Sequence, residues 1–92
     1  MEKTAFEAAL KADGYGDIET KTKAPGEVTS AHSHPYAVRL MVLSGEITVT
    51  NTNGPARTCR AGDTFSLAAD CEHFERYGAE GAVILAGKKH KF

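Results

Sequence analysis

The sequence predicts an all-β fold, a sandwich or small barrel, with a single short helix at its N-terminus. Three observations point that way. From Asp17 onward apolar and polar residues alternate with a period of two, as half-buried strands require. Turn-forming clusters recur every six to ten residues, at Pro25-Gly26, Ser44-Gly45, Ala61-Gly62-Asp63, Ala69-Asp70 and Gly78 to Gly81. They cut the chain into some eight short strands, the rhythm of a sandwich or barrel. Only residues 4–14 carry a helical period.

In that N-terminal stretch Thr4 can cap a helix, and Glu7, three residues on, completes a capping-box pattern. Phe6 and Leu10 then share one face, and Gly14 can take the left-handed conformation that ends the helix. In DIETKTKA, Ile18, Thr20, Thr22 and Ala24 alternate with Glu19, Lys21 and Lys23, which predicts a half-buried strand. VTSAHSH reads as a second strand, and AVRLMVL as a third, closed by Ser44-Gly45. EITVTNT alternates again, and NTNGPA is a hairpin turn whose Asn-Gly pair tolerates positive φ. Shorter strands are expected at RTCR, TFSLA, HFERYG and AVILAG. The organisation expected is one domain over residues 1–92, with the helix in 1–14, the strands in 17–86 and a solvated basic tail in 87–92.

A chain of 92 residues buries only roughly 60–65% of its unfolded surface, so its core is thin. Oligomerisation or a metal would be a natural supplement. Eleven basic against twelve acidic residues leave a net charge of −1, which argues against nucleic acid or an anionic membrane as partner. Positive charge gathers only at Lys88, Lys89 and Lys91. No apolar run approaches a membrane span, and the N-terminal residues lack the apolar stretch of a signal peptide. A cytoplasmic protein is expected, with Cys59 and Cys71 as reduced thiols.

The chemistry gathers on histidine. His32 and His34 stand two apart, so on a strand both rings point to one face. Such a pair can tilt toward one ion at about 2.0–2.2 Å per nitrogen, although exposed His-x-His pairs also occur with no role. His73 opens another predicted strand after the turn AADCE. Glu75, two residues on, shares its face: it is a fourth ligand, a base, a hydrogen-bond acceptor behind the site, or an exposed carboxylate beside Arg76. Cys71 is expected as a half-buried thiol in a turn, Asp63 as a turn cap, and Tyr36, Phe65, Phe74 and Tyr77 as core or rim aromatics. His90 falls in the basic tail, away from the site. No phosphate loop precedes a helix, and neither a Ser-His-Asp pattern nor a nucleophile elbow is present.

PGEVTSAHSHPYAVRLMVLSGEITV resembles the first motif of the cupin family, G-x5-H-x-H-x3,4-E-x6-G, and AGDTFSLAADCEHFERY resembles the second, G-x5-P-x-G-x2-H-x3-N. The resemblance covers residues 26–77, and the 16 residues between Gly45 and Gly62 suit a compact member. It implies a six- to eight-stranded jelly-roll barrel in which His32, His34 and His73 converge on a divalent metal such as iron, nickel, manganese or zinc. It also implies a small-molecule ligand and a homodimer that abuts or exchanges edge strands. The departures are specific. Val38, or Arg39 by the longer spacer, stands where the family's ligating glutamate belongs, and Ala68, Asp70 and Tyr77 replace proline, glycine and asparagine. If Val38 takes the inward position, Arg39 faces outward or into a subunit contact; the alternative for Arg39 is carboxylate recognition in the pocket. The implied function is a metal-dependent enzyme of oxygenase or isomerase type. The alternatives are a non-catalytic cupin that binds or senses metal or a small ligand, and a metal-free structural dimer.

Overall fold

A computed structural model describes residues 2–52 and 54–90. Helix α1 (Lys3–Ala12) is followed by five strands: β1 (Gly16–Lys23), β2 (Tyr36–Asn51), β3 (Ala56–Arg60), β4 (Thr64–Leu67) and β5 (His73–His90). The fold is all-β, a jelly roll with one short helix, although the hydrogen-bonded sheet does not close on itself.

Two long strands do the work assigned to four short ones. Antiparallel β2 and β5 run side by side from Tyr36↔His90 to Asn51↔His73, with bulges at Val42/Ser44 and Gly45/Ile47. Gly45 and Gly81 both have positive φ, at 77° and 72°. Where turns were expected, the chain therefore bends without reversing. A Cβ on Gly45 would lie 2.1 Å from the Gly81 carbonyl oxygen, so the bend brings the two backbones closer than any side chain allows. On one side of the bend, β1, the second half of β5, the first half of β2 and β4 form one layer. On the other, β3, the second half of β2 and the first half of β5 form the facing layer.

VTSAHSH is not a regular strand. It runs antiparallel to β5 but touches it only at isolated bridges, Val28↔Arg76 and His32↔His73. Bonds from the Thr29 N–H to Glu75 O, and in both directions between His32 and His73, hold it in place. The expected basic tail is also revised: up to His90 it is strand β5, with Lys88 between Gly16 of β1 and Val38 of β2. Lys91 and Phe92 lie outside the described residues, as does Asn53 of the NTNGPA turn.

The main core, between the layers, contains Leu40, Val42, Ile47, Val49, Cys59, Leu67, Tyr77 and Ile84. A second cluster lies outside, where Phe6 and Leu10 of α1 cover Met41 and Leu85. The helix starts at Lys3 with Glu2 as N-cap and no side-chain cap bond, so Thr4 lies inside the helix and does not cap it. Its C-terminus follows expectation. Gly14 has φ 82°, its N–H donates to Lys11 O, and the Tyr15 N–H donates to Leu10 O, a Schellman closure.

Candidate metal centre

His73 comes from the start of β5, and His32 is its bridge partner, so backbone pairing alone brings two distant segments together. His34 follows two residues after His32, and the Asp70 N–H donates to the His34 carbonyl, which ties that backbone to the turn before β5. The ring centroids lie 4.4 Å apart for His32–His73, 5.0 Å for His32–His34 and 5.5 Å for His34–His73. One ring nitrogen from each lies within 4.8 Å of the others, and small ring rotations would close the set on one ion.

Hydrogen bonding selects the protonation pattern. His32 Nδ1 lies 2.7 Å from the Ser30 carbonyl and His73 Nδ1 lies 3.0 Å from the Cys71 carbonyl. A carbonyl only accepts, so both Nδ1 atoms carry hydrogen, and in the neutral ring it is Nε2 that offers the lone pair. This is the arrangement in which a second partner orients a ligating imidazole. His73 is 1% exposed, and its Nε2 is a buried polar atom with no hydrogen-bond partner among the described residues. Leaving such an atom unsatisfied costs on the order of 1–3 kcal/mol, which an ion would recover. The donor set therefore fits a divalent transition metal. Burial, then the neighbouring His32 and His73, and more weakly Lys88, pull the His34 pKa below its ordinary value, and Glu75 opposes them. The neutral, ligating form is favoured.

Glu75 does share the face of His73. Its Oε1 lies 3.5 Å from His73 Nε2, and its Oε2 accepts a 2.9 Å bond from the Tyr77 hydroxyl. It stands beside the three-histidine set and is not one of the converging group. Burial first, then the Glu75 carboxylate, push the Tyr77 pKa far up, so Tyr77 remains a donor. Tyr36 stacks on His34 at 5.0 Å, with its hydroxyl 3.3 Å from His34 Nδ1.

These groups line a cavity of about 210 Å³, with Val38, Leu40, Leu67, Ile84 and Ala86 as its apolar wall. That is below the roughly 300–1,000 Å³ of a drug-sized site, so the space suits only a small molecule. Val38 occupies the wall, as its motif position suggested. Arg39 faces outward: it is bound to Asp13 and lies 4.6 Å from the Tyr15 ring centroid, so it fastens the helix and does not read a ligand. Cys71 is half-buried and hydrogen-bonded to Asn51; Asp63 caps the Arg60 N–H. His90 stays outside the triad, but its ring reaches Tyr36 at 5.2 Å.

Sequence reading missed the charged lining. Asp17, Glu19, Lys21, Lys23 and Lys88 all border the cavity, with Thr29. The alternation of β1 was right, but the face was not: Ile18 packs under the helix, Thr20 and Thr22 are exposed, and the charged side meets the cavity.

A search of curated proteins returned no match. A family model described as the cupin domain matches residues 21–86. Among solved structures, a cupin-like protein from Thermotoga maritima superposes with a TM-score of 0.67 at 23% identity, over 79% of this chain and 55% of that one. A structure of the DMSP lyases RdDddP and RnDddQII gives 0.72 at 19% identity, over 78% of this chain and 37% of that one. The cupin domain of Schizosaccharomyces pombe Cnp3 gives 0.72 at 13% identity, over 80% and 52%. The chain thus spans about a third to a half of the length of these structures, and at such identities the likeness is one of fold. With its matched segment covering most of the strands and all three histidines, the chain belongs to the cupin domain family.

Proposed function

We propose that the protein is a divalent-metal-dependent cupin that acts on a small molecule, with His32, His34 and His73 holding the ion. The observation that carries this reading is His73 Nε2, buried and without a hydrogen-bond partner among the described residues, in a ring 4.4 Å and 5.5 Å from two further imidazoles. When bound, the ion would supply Lewis acidity to a substrate oxygen. The chain's own groups do the rest. Nδ1 bonds to backbone carbonyls fix the His32 and His73 rings. Leu40, Leu67 and Ile84 exclude water from one wall. Glu75, oriented by the Tyr77 hydroxyl, is the residue placed to take or return a proton. Oxygenase or isomerase chemistry suits this arrangement, and a lyase among the structural neighbours supports small-molecule chemistry in this fold.

A second reading, a non-catalytic cupin that binds metal or a small ligand, is favoured by one observation: Val38 leaves the pocket without the family's fourth ligand. A homodimer formed through an edge strand belongs to either reading, and sedimentation tests it. Elemental analysis of purified protein is expected to give close to one transition-metal equivalent per chain, and His73→Ala to lose it while remaining folded. Turnover against small carbonyl and thiol compounds then separates enzyme from binder. A protein that purifies empty and takes up no iron, nickel or zinc overturns metal binding in both readings and leaves only the binding of an organic ligand or a structural role.

A further inference from the structure

The cavity is lined by an unusual balance of charge. The three histidines converging there are neutral donors, and Val38 adds no carboxylate. Of the acidic residues on the lining, each has a partner: Glu19 is 3.4 Å from Lys21, Asp17 is 3.5 Å from His90, and Glu75 accepts from Tyr77. Two cations do not. Among the described residues neither Lys88 nor Lys23 has a carboxylate within ion-pair distance. Each lies over an aromatic ring instead: Lys88 Nζ is 5.0 Å from the centroid of Tyr36, and Lys23 Nζ is 5.9 Å from that of Tyr77.

Lys88 has the more telling position. It is the register partner of Val38 on β2, so the two side chains are immediate cross-strand neighbours on the cavity face. Beyond Lys88 along β5 on that face come Ala86 and Ile84, both apolar. Half-buried Lys88, at the end of an apolar wall and with no carboxylate at ion-pair distance among the described residues, has unused hydrogen-bonding capacity. Three neutral imidazoles with the single Glu75 carboxylate beside them would also leave a divalent ion with net positive charge, which an anion supplied from outside would balance.

We propose that the pocket selects small carboxylates, and that Lys88 is the specificity-determining residue that binds the carboxylate beside the histidine centre. The inference names the ligand class of the site described above and rests on the reading of that cavity as a small-molecule pocket. The about 210 Å³ of space suits a small ligand, and acetate, pyruvate and oxalate all fit within it. Glu19 and Lys21 pair with each other and are not part of the recognition.

The test is titration of isotopically labelled protein with acetate, pyruvate and oxalate at fixed ionic strength, followed by amide chemical shifts. Acetamide serves as the uncharged isostere, and both zinc-loaded and metal-free samples are used. At least one carboxylate is expected to bind with shifts confined to the cavity, and acetamide more weakly. Lys88→Gln is expected to weaken carboxylate binding by about tenfold or more, as loss of a charge-assisted bond does, with metal content and fold unchanged. Lys88→Arg is expected to restore most of it. If carboxylate binding requires Lys88 in the metal-free sample while no metal is ever taken up, the inference stands and the metal reading fails. If metal binds but no carboxylate does, or if Lys88→Gln or acetamide binds as well as the wild-type pair, the inference is overturned.

Discussion

The two faces of the β2–β5 ribbon make an instructive contrast, because they are built from alternate residues of the same strands. On the outer face, Met41 and Leu85 are covered by Phe6 and Leu10, and the cation Arg39 is paired with Asp13. On the inner face, one residue away, Val38 and Leu40 line a cavity with Lys88 and His73; among the described residues Lys88 has no carboxylate at ion-pair distance and His73 Nε2 no hydrogen-bond partner. The outer face is closed by the chain's own groups; on the proposed reading the inner face is completed by a ligand from outside. The outer cluster should therefore contribute stability alone, whereas the inner face, which also carries the main core, combines packing with binding.

The largest effect that would break this division is on the outer face. Leu10 is fully buried, so Leu10→Ala is expected to cost about 2–5 kcal/mol, lowering the thermal midpoint by roughly 10 °C or more. Metal content per folded chain is expected to stay the same. Calorimetry with elemental analysis measures both, and loss of metal in the folded variant would show the faces to be coupled. On the inner face, Val38→Glu would give Lys88 the internal partner that Arg39 already has. Carboxylate affinity is expected to fall by about tenfold in the same titration, because the added acid competes for Lys88.

Acid should act on the inner face first. The folded pKa of His34 lies below 6.5, its unfolded value, mainly through burial. As pH falls below 6.5 the unfolded chain takes up a proton that the folded site resists, so stability is highest above 6.5 and declines toward the folded pKa. Protons compete with a bound ion over the same range. Denaturant midpoints and metal occupancy between pH 8 and pH 5 are expected to fall together. A flat response of both would contradict the assignment of neutral ligating rings. The smallest effect belongs to the exposed Arg39–Asp13 pair: Arg39→Gln is expected to cost about 0.2–1 kcal/mol and to leave ligand binding unchanged.

The same contrast explains what the sequence disclosed. His32, His34 and His73 were legible because spacing along two segments is a property of the chain itself. Phe6, Leu10 and Gly14 were legible because helix face and helix end are local. Gly45 and Gly81 were misread as turns because a left-handed glycine serves a hairpin and a bulge alike, and only pairing with the neighbouring strand decides. Lys21, Lys23 and Lys88 were missed for a related reason. A strand with Thr on one side and charges on the other gives no burial signal, and tertiary placement alone turned the charged side of β1 toward the cavity. Lys88 resembled a tail because a Lys-Lys-His sequence carries no strand pattern, yet β1 and β2 pair with it from both sides.

X-ray absorption at the zinc edge of stoichiometrically loaded protein bears most directly on the converging imidazoles. Three nitrogen scatterers at about 2.0–2.1 Å are expected, with one fewer in His34→Ala. A spectrum with sulfur donors, or one unchanged by removal of His34, would place the ion elsewhere and contradict the account.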